Sequence, residues 1–481
     1  MTFAQVEFLA FFAVVFVAYW ALPRRAQNVW LTATSLVFYG WVHPWFVLLL
    51  LYSALLNWGA ARVMDAGPAD WRRAALQVAI AGNVLLLGTF KYLDFFVENV
   101  AAVLETLGVD ADLHTLGLLL PVGISFYTFQ TVSYTVDVYL RKVKAERSLL
   151  TFLCFVAFFP RLIAGPIERA GDLLPQIRNE RTLDLERFRS GVSLAAWGIV
   201  KKTVVADTLA PYVNAIYGAE APSNAMAWAA ALAFMVQILA DFSAYTDIAR
   251  GSARLLGFEL HDNFDHPYAA ASPEEYWRRW HITFSEWLRD YVYLPLYDWK
   301  RIRWLRLPGT KDDFRSRLAR ASFLTMLFSG LWHGAAWHFV LWGAWWGLLH
   351  VVWIYGRRTG KKPAARRRWL RPAGIGVMLV LNLIAHQLFR EPFIARLPAR
   401  FLGNPFAGTR EELVVATLML SIAFAAAAFL LVAAFLRDRV VPRIRHLPVF
   451  LPVETSLWAV AAWATYTFAW QSEAEFIYFQ F

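Results

Sequence analysis

Long apolar runs, separated by short basic or Pro/Gly-rich breaks, set the pattern of this chain. Residues 6–22 form the first run, closed by Pro23, Arg24 and Arg25. Residues 28–61 are too many for one crossing. The break Trp41-Val42-His43-Pro44 divides them into two helices, because proline lacks a backbone donor and turns its predecessor away from helix. Residues 74–90 and 116–140 follow, the latter marked by Pro121 and Gly123. Between them, 91–114 mixes Lys91, Asp94, Glu98 and Glu105 with apolar residues, as an interfacial helix does. Residues 149–159 are short for a crossing and run into the turn 160–169, which is the pattern of a re-entrant segment. Residues 191–200 reach Lys201-Lys202 and continue apolar to Ile216. Further runs cover 228–239, 323–331, 337–355, 372–388, 413–436 and 456–470. A crossing helix takes roughly 20 mostly apolar residues, so the pattern predicts an all-α polytopic membrane protein of about ten to twelve crossings. Residues 241–317 are expected to form amphipathic helices at a membrane face.

Composition sharpens this expectation. Of 481 residues, 58% are hydrophobic and 17% charged, well below the roughly 25% charged share of soluble domains. Mean hydropathy is +0.42, which a soluble core does not require. The 23 Trp and 18 Tyr suit helix contacts and interface belts. Net charge is +11, and cytoplasmic Lys/Arg loops account for it without nucleic acid; attraction to anionic membrane lipid or an acidic polymer is the secondary reading. Basic segments at 24–25, 62–73, 141–147, 357–371 and 437–446 all fall on one side if the amino terminus is outside and the carboxyl terminus external. The amino-terminal run lacks a basic leader, as a retained first helix does. Cys154 is the single cysteine, which excludes an intrachain disulfide and a multi-cysteine metal site. The expected organisation is one membrane domain: amino-terminal helices at 1–140, a core with polar motifs at 141–355, and carboxyl-terminal helices at 356–481.

Three polar constellations interrupt the apolar pattern. Asp241-Phe-Ser-Ala-Tyr-Thr-Asp247 interrupts or ends an apolar run. A carboxylate in lipid is costly and faces protein or a wet cavity, so Asp247 pairs with Arg250 or Arg254, lines such a cavity, or takes a direct part in catalysis. In the second, Ser272, Pro273 and Glu275 form a helix start, and Trp277, His281, Phe284 and Leu288 recur on one helical face. His281 then points to the apolar side, as a structural or a working imidazole. The third surrounds His333, with Gly330 and Gly334 expected to leave space beside the ring and Trp332 and Trp337 to wall an apolar slot. A buried histidine stays neutral, as a general base must, although a packing histidine bonded across helices fits equally. His338 and His350 fit packing roles better. Zinc-protease, nucleophile-elbow, phosphate-loop and dinucleotide motifs are absent from the sequence, which points away from a tightly bound cofactor or metal.

Taken together, these motifs resemble the membrane-bound O-acyltransferase superfamily, in its bacterial polysaccharide branch of alginate O-acetyltransferase membrane subunits. The resemblance runs through Leu36-Val-Phe-Tyr-Gly-Trp41, Pro121-Val-Gly-Ile-Ser-Phe-Tyr-Thr-Phe-Gln130 and Phe159-Pro-Arg-Leu-Ile-Ala-Gly-Pro-Ile167. It continues through 241–247, Asn263-Phe264, the 276–289 block, Leu331-Trp-His-Gly-Ala335 with Trp337, and the terminal Phe-Ile-Tyr-Phe-Gln-Phe. It implies that His333 is the catalytic histidine and His281 a second position linked to activity, with Asp241, Tyr245 and Asp247 around the reaction chamber. The chain departs from the family's Trp-containing run at Ile384-Ala-His386-Gln-Leu-Phe389. The resemblance further implies a multi-pass protein of the bacterial inner membrane. Acetyl-CoA would be the donor, an exported polysaccharide the acceptor, and a separate periplasmic or lipid-anchored acetyltransferase the partner. Other acyl transfer, to a D-alanyl or lipid product, and polysaccharide or lipid transport are the alternatives.

Overall fold

A computed structural model describes Phe3 and residues 5–109, 115–298, 313–356, 370–444 and 450–469. The basic loop at 357–369, the end of the 437–446 segment and the terminal six-residue motif lie outside the described residues. The structure is all helical. Among the described residues no sheet forms, and the one isolated bridge joins Phe264 to Trp280.

Among the described residues, six helical segments are long and apolar enough to cross a membrane: Phe46–Ala66, Ala69–Thr106, Asn224–Leu255, Trp337–Gly356, Arg371–Arg390 and Arg410–Ile444. Many of their apolar side chains point outward. Leu418, Phe424, Leu431 and Val432 are all exposed, an arrangement that hydrocarbon stabilises and water does not. Two stretches differ from the sequence pattern. The expected interfacial helix after Phe90 is a continuation of the preceding crossing, through a π turn at Gly88–Tyr92, into one segment of 38 residues. The apolar stretch across Lys201-Lys202 is divided into Leu185–Val200, a π turn at Lys201–Ala206, and Asp207–Gly218.

The chain forms two compact units. The first comprises Met1–Ala195 and Thr246–His261. Its helices α1 (Val6–Ala21), α2 (Arg24–Gly40), α3 (Phe46–Ala66), α4 (Ala69–Thr106) and α5 (Ile124–Tyr139) bury an aromatic core including Phe8, Phe38 and Phe159. A polar lock ties α3, α4 and α5 together. Ser53 donates to Asn83 Oδ1 at 3.0 Å, and Asn57 Oδ1 accepts from Asn83 at 3.2 Å and Thr135 at 2.7 Å. In hydrocarbon such bonds take the place of water partners. Helix α6 (Leu149–Ala157) stops at Phe158, before Pro160.

The second unit comprises Ala196–Tyr245 and Asp262–Phe481. Its site-bearing elements are the π turn Lys201–Ala206, α7 (Asn224–Leu255), α8 (Pro273–Trp277), α9 (Ile282–Leu288), α10 (Phe314–His333), α11 (Trp337–Gly356) and α12 (Arg371–Arg390). Helix α7 begins in this unit and, past Tyr245, its residues belong to the first.

Candidate active site

Asp313 starts α10, its carboxylate accepting from the Ser316 N–H at 2.8 Å, and His333 is its last helical residue. Gly334 then takes an extended conformation and α11 begins at Trp337. The glycines serve contact between α10 and α11. A Cβ on Gly330 would strike the Phe339 carbonyl and Gly343, one on Gly334 would strike the Phe339 ring, and one on Gly343 would lie 2.5 Å from the Met326 carbonyl. The expected space beside the imidazole is therefore filled. Close backbone approach leaves the ring wedged among aromatic edges.

His333 is 7% exposed. Its ring lies 4.7 Å from Trp332, and Trp342 and Phe389 stand edge-on at 4.8 and 5.2 Å. Trp337, expected as a wall, is 52% exposed, and Trp342 on the next turn and a half of α11 occupies a wall position. Helical spacing explains the difference: the Ala335-Ala336 link starts α11 with Trp337 facing outward.

His281 departs from its expected place on a continuous helix. The helix start is as anticipated, with Ser272 accepting from the Glu275 N–H at 3.2 Å and Glu275 accepting from the Ala271 N–H at 2.9 Å. However, α8 ends at Trp277, and His281 takes a left-handed conformation with φ of 42° before α9 begins. That conformation is strained for a residue with a Cβ and persists only where surroundings hold it. Asn263 does so. Its Oδ1 lies 3.1 Å from His281 Nδ1 and accepts from the Thr283 N–H and hydroxyl at 3.2 and 3.0 Å. An oxygen fixed as acceptor by the Thr283 N–H requires the proton on His281 Nδ1, so the neutral ring keeps its lone pair at Nε2. His281 is fully buried, and that burial pushes its pKa down to about 3, so the ring is neutral at ordinary pH.

The two imidazoles meet one aromatic pair. Phe284 and Trp332 stack at 4.1 Å. His281 lies 4.9 Å from Phe284 and 6.2 Å from Trp332, and His333 lies 6.0 and 4.7 Å from the same rings. On its other side His281 meets Phe242, edge-on at 4.7 Å.

Phe242 follows Asp241 on α7, which runs unbroken through the polar constellation that interrupts the apolar pattern. The carboxylates are accommodated because cations accompany them. Lys202 Nζ lies 3.0 Å from Asp241 and 2.8 Å from Asp207, with all three side chains at most 10% exposed. Lys201 donates to the Ser243 hydroxyl at 2.8 Å. Both lysines sit on the π turn, a local widening that often marks functional sites. Tyr245, one turn beyond Asp241, is buried. Asp247 lies in the part of α7 that belongs to the first unit, where Arg250 approaches it at 3.8 Å and Arg254 pairs with Glu259 instead.

Thus the structure gathers His281, His333 and Trp332, with Asp241 next to a ring that touches His281. Lys202, Asp207, Trp342 and Phe389 went unmarked in the sequence, and only the interruption of an apolar run by Lys201-Lys202 hinted at the first. Glu168, Asp172 and His261 bring ligand atoms within 4.8 Å of one another, a grouping that 93 residues of separation hide from sequence motifs. Glu168 already accepts from the His261 N–H at 2.7 Å and faces His261 Nδ1 at 2.8 Å, so a hydrogen-bonded staple accounts for the grouping.

Residues 140–390, which include this entire cluster, match the model of the membrane-bound O-acyltransferase (MBOAT) family. The chain is 37% identical over 397 residues to the probable alginate O-acetylase AlgI of Azotobacter vinelandii, covering 81% of this chain and 75% of that protein. It is 38% identical over 395 residues to the probable alginate O-acetylase AlgI of Pseudomonas aeruginosa, covering 81% and 72%. To the peptidoglycan O-acetyltransferase of Helicobacter pylori it is 31% identical over 408 residues, covering 78% and 73%. The helical architecture, the buried pair of histidines and these matches lead to one conclusion: the chain belongs to the membrane-bound O-acyltransferase family.

Proposed function

We propose that this protein moves acetyl from cytosolic acetyl-CoA through a bacterial inner membrane for O-acetylation of an exported polysaccharide of the alginate type. Its amino terminus would lie outside, and a periplasmic or lipid-anchored acetyltransferase would be its partner. The observation carrying the proposal is the convergence of buried His333 and neutral His281 on the Phe284–Trp332 pair, inside the family-matched segment.

In this mechanism a ring nitrogen of His333 takes the proton of an acceptor hydroxyl as its oxygen attacks the thioester carbonyl carbon. A C–O bond forms, the C–S bond breaks, and the CoA thiolate leaves with the proton returned from the His333 imidazolium, which restores the neutral base. His333 ends α10, where the partial negative charge of the last carbonyls favours the imidazolium formed in the step. The aromatic enclosure excludes water that would hydrolyse the donor. His281, neutral with its lone pair at Nε2, supplies a second acceptor beside the same rings. Asp241, held by Lys202, supports the chamber from α7.

The test is product mass. Polysaccharide from cells with and without the protein is compared after feeding labelled acetate. An acetyl increment on the glycan, dependent on this chain, supports the proposal. A D-alanyl increment or an acylated lipid assigns a different acyl transfer, and transport without any acyl product overturns it.

A further inference from the structure

Helix α4 is longer than a membrane requires. Its 38 residues span about 57 Å at the α-helical rise, against a hydrocarbon core of about 30 Å. The excess falls past the π turn, where Leu93–Thr106 carries Asp94, Glu98 and Glu105 and has no buried residue. Counted from Leu93, where regular α-helix resumes, the apolar residues keep a heptad. Leu93, Val100 and Leu107 take position a, and Phe96 and Val103 take position d. Leu107 closes the stripe, its N–H still bonding to the Val103 carbonyl at 3.2 Å. Phe96, Val100, Val103 and Leu107 are 60, 50, 57 and 71% exposed. The three acids occupy positions b and f, on the far side of the helix. There Asp94 accepts from the N–H groups of Leu116 and Gly117 at 3.0 and 3.2 Å, which ties that part of the returning chain to the face away from the stripe. An unbroken apolar seam is thus displayed beyond the hydrocarbon, where such a surface is costly unless another covers it.

Charge and register point to what covers it. The flanking positions are uncharged, with Val97 and Leu104 at e and Asn99 and Thr106 at g. Charges at e and g select unlike helices for one another, and none here opposes a like helix. A headgroup surface attracts amphipathic helices through Lys and Arg, and residues 93–107 contain neither. Two copies in one membrane share its orientation. A two-fold axis along the membrane normal therefore sets their distal helices parallel, the arrangement in which equal a and d positions meet. The stretch is short for a free coiled coil, but each helix is already nucleated by its crossing, and both are confined to one membrane.

We propose that the distal part of α4 is a contact between two copies of this chain, a parallel two-helix seam through Leu93, Phe96, Val100, Val103 and Leu107. The pairing goes beyond the acyl-transfer reading and does not depend on it.

Single cysteines in the full chain, oxidised with copper–phenanthroline in native membranes, test the seam. Wild type gives the blank, because its one cysteine, Cys154, is buried. In a parallel pair, equal a or d positions bring their Cα atoms within disulfide reach, below about 7 Å, while f positions point apart. Val100→Cys and Val103→Cys should give a disulfide-linked dimer of this chain, and Glu98→Cys and Glu105→Cys should stay monomeric. Adding Val103→Glu to Val100→Cys sets like charges on the seam and should abolish the dimer, with membrane abundance kept because the position is exposed. Equal cross-linking at all four positions, or a dimer that survives Val103→Glu, overturns the seam. Monomers throughout, or a stripe cysteine joined to a different protein or labelled by a photoactivatable phospholipid, reveal another cover and also overturn it.

Discussion

Replacing Lys202 by methionine tests whether the buried charge cluster holds Asp241 in place. The ammonium sits 2.8 Å from Asp207 and 3.0 Å from Asp241, whose side chains are 5% and 2% exposed. At an effective dielectric of about 20, each contact carries roughly 5–6 kcal/mol of Coulomb attraction, most of it offset by the cost of removing the groups from water. Methionine preserves the stem and the packing but leaves carboxylates that have lost their shared cation. Breaking a buried pair from one side costs about 3–5 kcal/mol. For a unit of this size that lowers the melting temperature by roughly 5–10 °C. The double variant Lys202→Met/Asp241→Asn removes one of the stranded charges, so its loss should be smaller than the sum of the single losses. Fluorescence-detected melting of the detergent-purified chain measures all three. A Lys202→Met protein that melts with the wild type, or a double variant whose loss equals the sum, would refute the argument that Lys202 and Asp241 are energetically coupled.

Gly334→Ala sets a methyl group against the Phe339 ring and should destabilise by about 1–3 kcal/mol or more through overpacking, with transfer activity falling because the α10–α11 junction positions His333; melting and turnover of the variant check this, and a wild-type melt contradicts it. Acidification should also destabilise the protein. The His281 pKa is near 6.5 when unfolded and about 3 when folded, so between these values the unfolded chain binds more protons and stability falls as pH drops below about 6.5. From pH 7 to 5 the loss is about 2 kcal/mol from this group. Melting curves of His281→Gln against pH should be flatter by that amount, and parallel curves would contradict the assignment.

The membrane character was legible because crossing hydrocarbon demands apolar length, which composition and spacing display directly. The helix start at Ser272-Pro273 was legible for a similar local reason: a cap and its Glu275 partner lie within four residues. The termination after Trp277 was not, since it depends on Asn263, 18 residues upstream, bonding to His281 and Thr283. His281 consequently lies at a left-handed joint where periodicity placed it on a helix face. Asp241 stood out as a polar break in an apolar run, while the charge that accommodates it, Lys202, is remote in sequence and could not be paired with it by pattern. The glycines around His333 signalled close backbone approach correctly, but which residue fills the gap, Phe339, depends on how α11 packs. Trp342 and Phe389 were obscured by the abundance of aromatic residues, among which sequence offers no way to choose the ones that meet His333.

The most direct measurement is acetyl transfer from labelled acetyl-CoA by His333→Ala, compared with wild type at equal membrane abundance and with its melting temperature recorded. Transfer should fall to background while the helical fold persists. Wild-type rates from that variant would remove the imidazole from the chemistry and contradict the account.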